Sequence, residues 1–378
     1  MLNIEQLSYW EKQTFFQGID FLIVGAGIVG YSTAIHLREQ HPNAKILILE
    51  KGYLPSGASS KNAGFACFGS ATELIDDLSQ TDEHIVWDTV EKRWEGLRYL
   101  KQLIGESDLN LEINGSWDLI TNKETKRADE VRSQLDYLNE NIKSITGSDS
   151  VYSEDNSLQE KFGFSNLGTS FFNKLEGQIN TGKMIRKYYQ LAIHHGIDIL
   201  FGIEVGEIND LNTKVIVNTS IGEITCAHVM ICTNGFAQQL IPEDVQPARA
   251  QVLVTEPIQN LRIKGTFHYD CGYYYFRNID NRILLGGARN LDFKGETSTD
   301  LTTTPFIMNA LEELLKTVIL PDQTVEIEHR WAGIMGVGTV KAPIIKKISS
   351  NIGIGVRMGG MGVAIGSLVG KELSELFS

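Results

Sequence analysis

Three glycines, at positions 25, 27 and 30, and a carboxylate at position 50 are the residues of this 378-residue chain whose spacing most directly implies chemistry. The apolar run Phe21-Leu22-Ile23-Val24 leads into Gly25, Ala26, Gly27, Ile28, Val29 and Gly30, which reads as a buried parallel strand, a tight turn and the start of a helix. Gly25 makes the turn, Gly27 lets a diphosphate approach the backbone, and Gly30 lets the helix pack on its strand. The helix Tyr31 to Arg38 then offers N-terminal N–H groups and the positive end of its dipole to the phosphates. A second strand, Lys45 to Leu49, ends in Glu50, about 20 residues after the last glycine, where an acid accepts bonds from the adenosine ribose hydroxyls and repels a 2′-phosphate. The pattern predicts an FAD or NAD site rather than an NADP site. A membrane span over Phe21 to Leu37 is rejected, because three glycines with Ser32, Thr33 and His36 make a poor lipid-facing helix.

The elements that position these residues need more than one core. The length suggests two domains, and an apolar fraction of 42% is that of a globular protein. A formal net charge of -13 argues against nucleic acid and anionic membrane partners, though not against an anionic substrate in a locally positive pocket. Cys67, Cys226, Cys232 and Cys271 have no metal-ligand spacing and read as reduced thiols of a cytoplasmic protein, and no signal peptide is read at the start. No metal is expected.

Along the chain, Ile4 to Phe16 reads as an amphipathic helix packed on the sheet. Leu54 to Phe65 is dense in small and hydroxyl residues, either a surface loop or a second cradle of donors for a diphosphate. Here Gly57, Ala58, Ser59, Ser60, Lys61, Asn62, Ala63 and Gly64 closely match a segment of the D-amino-acid-oxidase (DAO) superfamily, which the chain therefore resembles; glycine oxidase, sarcosine oxidase and gamma-glutamylputrescine oxidase are members. The resemblance implies that this segment, with Phe65, touches the pyrophosphate and flavin of a non-covalently bound FAD; Lys51, next to Glu50, is a further candidate for cofactor binding.

Thr72 to Leu103 has a helical period and reads as one or two helices, Gly115 to Ile120 as a strand, and Asn122 to Ile145 as a further helix. Gly177-Gln178-Ile179-Asn180 before a helix Thr181 to Gly196 resembles the family segment that re-enters the flavin domain. His194 and His195, at that helix's end, read as dipole partners or surface residues. Ile197 to Ile208 reads as one strand, with Glu204 and Val205 where family members hold adenine, and Lys214 to Ile224 as a hairpin. Val229 to Cys232 reads as a buried strand. The turn after it, Thr233, Asn234 and Gly235, resembles a family segment beside the ribose and pyrophosphate. Arg249 to Pro257 resembles a family strand.

Tyr273 to Arg277 reads as a strand with Tyr273, Tyr275 and Arg277 on one face, paired with Arg282 to Arg289 through the Asn278–Asn281 turn. By resemblance this sheet roofs the flavin, making Tyr273, Tyr275 and Arg289 candidates for the substrate; sheet packing and a solvent-facing arginine are the alternatives. Leu284 falls where sarcosine oxidases carry a lysine associated with oxygen activation, which leaves oxidase against dehydrogenase open. His329 to Gly336 resembles the segment before the flavin ring, with Gly333 and Gly336 as candidates. Met335 replaces the arginine of glycine oxidases, and no cysteine is present there to tether flavin. The closing run, with Arg357, Gly359, Gly360, Met361, Gly362 and Val363, leaves too few residues for a second dinucleotide unit. It matches the family's last motif, whose N–H groups face the flavin and stabilise its reduced charge.

These readings predict an α/β fold: a glutathione-reductase-type Rossmann domain for FAD (1–75, 172–242, 328–378) interleaved with a substrate domain on a mixed or antiparallel sheet (76–171, 243–327). The expected reaction is hydride transfer from a C–N bond of an amine or amino acid to the flavin, giving an imine that hydrolyses, with O2 or a redox carrier accepting the electrons. The alternatives are oxidation of a 2-hydroxy acid, which needs a base such as His268 or His329, and an FAD-binding protein without turnover.

Overall fold

Two eight-stranded sheets organise the computed structural model, which describes residues 3–378. In the first sheet, Ile19–Val24 lies between Ile46–Glu50 and Gly222–Ile231, parallel to both, with Val24 level with Leu49 and Ile231. Asp198–Phe201 extends this sheet beyond Ile46–Glu50, and Ile352–Val356 and Ile344–Lys347 extend it on the other side. Strands buried on both faces read as continuous apolar runs, which is why Ile46-Leu47-Ile48-Leu49 was legible. The second sheet runs Ile327–Val337, Gln246–Thr255, Arg282–Gly287, Tyr274–Ile279, Thr266–Tyr269, Ser116–Thr121, Leu167–Asn173, Tyr152–Glu154. All its pairings are antiparallel except Thr266–Tyr269 with Ser116–Thr121, so it is mixed. Residues 328–337, counted above with the cofactor domain, ladder with Gln246–Thr255 in this second sheet.

The helix Ile28–Gln40 is buried on almost every face because it is sandwiched between the first sheet and the C-terminal helix Gly362–Glu375. Small residues set that crossing: the Ser32 hydroxyl donates to the Ser367 carbonyl at 2.6 Å, and a Cβ on Gly370 would come within 2.6 Å of the Val29 carbonyl oxygen. The helix Glu83–Ile104 closes the same layer.

Several elements differ from the sequence reading. Ile4 to Phe16 is two short helical segments, Ile4–Gln6 and 9–16, rather than one helix, because Asn3 and Ser8 each close a capping box and start a new segment. Tyr9 and Trp10 stay exposed, while Ile4 and Phe16 pack on the core. Ile197 to Ile208 is two strands, Asp198–Phe201 and Val205–Asp210, broken at the left-handed Gly202. Gly222–Ile231 is one continuous strand that serves the hairpin first and the parallel sheet afterwards. Thr72 to Leu103, read as one or two helices, is two, Ala71–Gln80 and Glu83–Ile104, in agreement with that reading.

Asp118, on Ser116–Thr121, joins the second sheet to Ala71–Gln80 by accepting the Thr72 N–H at 2.7 Å. Burial pushes its carboxyl up to about 6. The folded state therefore holds the proton more tightly than the unfolded chain does. The resulting penalty is absent below about pH 4 and complete above about pH 6. Two pKa units correspond to roughly 3 kcal/mol. Asp118→Asn keeps an acceptor for Thr72, so denaturant melts at pH 4.5 and 7.5 should show the variant gaining stability over the parent only at the higher pH. Parallel pH profiles would contradict this assignment.

Candidate active site

A cavity of about 1260 Å³ lies between the two sheets and collects nearly all the candidate residues. Its first wall is the glycine turn. Gly25 has φ +106, a region that favours glycine, and a Cβ on Gly30 would be driven into the Gly25 carbonyl oxygen, so strand and helix meet only if both lack side chains. Gly27 caps Ile28–Gln40 without any side-chain bond to the first turn. The Ile28 N–H donates to Ser59 Oγ at 3.0 Å, which ties the glycine turn to the short helix Ala58–Lys61 and makes one cradle of the two segments.

Glu50 is buried at the end of its strand and accepts the Ala26 N–H at 3.0 Å on one oxygen. The other oxygen accepts the Gly52 N–H at 3.0 Å and the Ser56 hydroxyl at 3.1 Å. The carboxylate is thus aimed before any ligand arrives, and the oxygen that accepts only the Ala26 N–H keeps a lone pair for a ribose hydroxyl. Lys51 and Glu204 form an exposed ion pair at 2.6 Å beside Val205, and all three line the cavity.

The loop Asn62 to Phe65 is held by the Asn62 side chain, whose Oδ1 accepts from the Gly64 N–H at 2.8 Å and the Thr181 hydroxyl at 3.0 Å. Asn234 does the same work across the cavity: its Oδ1 accepts the N–H groups of Arg357 and Met358, each at 3.1 Å. Thr233 Oγ1 is buried with no partner and lines the cavity. Met361 caps Gly362–Glu375 without a side-chain bond, so Gly362 and Val363 present a second open helix N-terminus to the same space. Two helix N-termini whose cap residues make no side-chain bond, an orphaned hydroxyl and a pre-aimed carboxylate fit a dinucleotide with an anionic diphosphate and a polar head.

The second sheet supplies the remaining wall. Tyr275, His268 and Phe65 cluster edge to face, with ring centroids 5.4 and 5.6 Å apart from Phe65. Burial pushes the Tyr275 hydroxyl up to about 12 and the His268 imidazole down to about 4, so both are neutral near pH 7. The Arg289 guanidinium lies 5.0 Å from the Phe293 ring, and its Nε is buried without a partner. Leu284 packs with Ala63 and Val252.

Not every candidate faces the cavity. Gly30, Gly235 and Gly336 are packing positions, the last two because a Cβ would strike Met335 and Asn234 respectively. Ser60 turns outward to the Pro55 and Gly57 carbonyls. Arg357 lines the cavity, but its guanidinium is taken by Asp244 and the Ala342 carbonyl. Tyr273 lines the cavity from the turn before Tyr274–Ile279, since Asp270, Cys271 and Gly272 are all left-handed and delay the strand. It does not share a strand face with Tyr275. Sequence reasoning missed the ion cluster of Glu73, Asp77, Arg93 and Lys341, which lines the same cavity from the helices Ala71–Gln80 and Glu83–Ile104 and the loop at Lys341, with Lys341 reaching Glu73 at 3.6 Å. The i,i+4 spacing of Glu73 and Asp77 is that of any solvated helix face.

The model of the FAD dependent oxidoreductase family, DAO, matches residues 20–376. The chain belongs to this family. As a DAO-family member it is an FAD-dependent oxidoreductase, with FAD as the dinucleotide its cradle fits. Gamma-glutamylputrescine oxidoreductase of Escherichia coli (strain K12) is 22% identical over 386 residues, covering 94% of this chain and 83% of that protein. The sarcosine oxidase beta subunit of Rhizobium meliloti (strain 1021) is 23% identical over 341 residues, with 87% and 76% covered. Among solved structures, glycine oxidase from Bacillus cereus ATCC 14579 superposes with a TM-score of 0.76 at 19% identity, covering 95% of this chain and 94% of that one. Among the described residues no helix is long and apolar enough to cross a membrane.

Proposed function

We propose that this DAO-family chain oxidises the C–N bond of an amino acid or amine, with Arg289 holding the carboxylate of an amino-acid substrate. The observation that carries the reading is Arg289 itself, a cation with an orphaned Nε in the wall that also holds Tyr275. FAD bound in the cradle supplies the hydride acceptor. Arg289 fixes the substrate by charge-assisted bonds, which places the α-carbon reproducibly. Tyr275, kept neutral, offers an O–H donor without adding charge. Phe65, Val252 and Leu284 make the neighbouring surface apolar and keep water from the reacting centre. The open end of Gly362–Glu375 favours negative charge beside it. The relatives named above are a gamma-glutamylputrescine oxidoreductase and a sarcosine oxidase subunit, and both of those compounds contain a C–N bond, which supports the substrate class.

The contacts assigned to FAD run from Gly25–Val29, Glu50 and Ser59 to Thr233 and Gly359–Val363, with O2 or a redox carrier as acceptor. Residues 3–75, 174–242 and 338–378 would form the cofactor domain, and the second sheet the substrate domain. Incubation with a panel of amino acids and amines should release ammonia or amine together with a carbonyl product.

A second reading, oxidation of a 2-hydroxy acid, is favoured by one observation: His268 lines the cavity with Nε2 buried and unpartnered, where it could accept a hydroxyl proton. Its downward shift from 6.5 to about 4 makes it a base weaker by roughly 3 kcal/mol, which ranks this reading second. Oxo acid formed from hydroxy acids alone, with no ammonia from any amine, would reverse the ranking.

A further inference from the structure

We propose that Cys67, Glu176 and His268 form a binding site for a thiophilic divalent cation of the Zn2+ type, in the cavity wall and separate from the dinucleotide cradle. A ring nitrogen of His268, Sγ of Cys67 and a carboxylate oxygen of Glu176 lie within 4.8 Å of one another. Their convergence is built into the fold. Cys67 follows the short strand Phe65–Ala66, Glu176 precedes its antiparallel partner Gly177–Gln178, and His268 sits on Thr266–Tyr269.

The three groups are prepared for a common partner. One oxygen of Glu176 accepts the N–H groups of Phe68 and Gly69 at 2.7 and 2.9 Å, which orients the carboxyl. The other oxygen has no partner, although the residue is 0% exposed. Nε2 of His268 is likewise buried and unpartnered. Cys67 makes long sulfur contacts, 3.8 Å to the Gly177 carbonyl and 3.8 Å to the Thr266 hydroxyl, and its thiol lies beside the Glu176 carboxyl. Buried polar atoms left in this state call for an explanation, and a bound ion is one that serves all three at once.

Distances and charge agree with that explanation. Zinc bonds of roughly 2.0–2.3 Å place tetrahedral ligands about 3.3–3.8 Å apart, so the side chains close by about 1 Å. A thiolate and a carboxylate neutralise the divalent cation and the imidazole adds no charge, so no net charge is buried. The sulfur, nitrogen and oxygen set favours Zn2+ or Co2+ over Mg2+ or Ca2+. Cys67 and His268 both line the cavity, which gives the ion an entry path and leaves a fourth position for water. Binding releases the Cys67 thiol proton to solvent, together with the proton on Glu176, whose carboxyl burial pushes up to about 7, and involves no change of oxidation state. The site adjoins the Phe65 and Tyr275 wall used in the amine chemistry proposed above, takes no part in that reaction, and a bound cation would withdraw His268 from proton transfer.

The test uses FAD-loaded protein stripped with EDTA and then dialysed against Zn2+ alone. Metal analysis should find equimolar Zn2+, and Co2+ in its place should give d–d bands to the red of the oxidised-flavin absorption. Cys67→Ser and His268→Asn should each weaken retention by at least about tenfold while melting like the parent in chelator. Glu176→Gln should do the same; because Glu176 also holds the Phe68–Gly69 backbone, the first two variants decide if it fails to fold. Sub-stoichiometric retention by the parent protein, or undiminished binding in Cys67→Ser and His268→Asn, overturns the proposal.

Discussion

Arg289→Met should lower kcat/KM for an α-amino acid by roughly 10²–10³-fold, because removing one partner of a buried, hydrogen-bonded charge pair costs about 2–5 kcal/mol and each 1.4 kcal/mol is tenfold. The loss should fall mainly on KM, since a carboxylate remote from the breaking bond is bound equally in ground and transition states. An amine without a carboxylate never uses the guanidinium, so its kinetics should scarcely change. Methionine keeps the apolar stem against Phe293 but loses the cation–π contact, worth about 0.5–1 kcal/mol at a partly exposed site, so the fold should survive. Equal losses for both substrate types would mean that Arg289 shapes the wall without binding the carboxylate.

Gly30→Val is expected to give a protein that no longer holds FAD. Its Cβ would enter the Gly25 carbonyl oxygen, and no flexible side chain is available to give way. The strand and helix must separate, with an overpacking penalty of typically 1–3 kcal/mol or more. Separation also spoils the turn that aims the Ile28–Gln40 N-terminus. Bound cofactor stabilises the parent by about 2.7 kcal/mol at a hundred times its Kd, and the variant forfeits that as well. Thermal melts with and without FAD test both parts: the parent should rise on adding FAD, and the variant should melt low and stay there. Gly182→Ala is the matched control, because its added Cβ meets nothing closer than Asn180 Oδ1 at 3.5 Å. A yellow Gly30→Val protein with a normal FAD-dependent shift would contradict the packing argument.

The cradle was legible in the sequence because its requirements are local. Gly25, Gly30 and Glu50 are dictated by a turn, a strand–helix contact and a strand end, each set within a few residues. Ser59 was legible as part of a donor-rich loop, but its bond to the Ile28 amide depends on how two distant segments meet. The same limit hid the junction of Cys67, Glu176 and His268, whose neighbours in sequence form no ligand motif. Tyr273 was misplaced because alternation assumes a strand already running, whereas three left-handed residues hold the chain in a turn until Tyr274. The lead-in failed for a related reason: its apolar residues suggested one amphipathic face, yet Asn3 and Ser8 each restart the backbone, and a capping signal outweighs a weak periodicity. Asn234 and Asn62 were chosen as ligand contacts, and both spend their side chains holding loops together. Residue type alone does not separate these two uses.

The most direct test of amine oxidation is anaerobic mixing of the FAD-loaded protein with α-amino acids, each paired with its matched 2-hydroxy acid, while the oxidised-flavin absorption is followed in time. Saturable bleaching by at least one amino acid, with its hydroxy-acid partner leaving the colour unchanged, is the expected result. Colour that persists through the amino acids and amines, or that is bleached by hydroxy acids alone, would contradict the account.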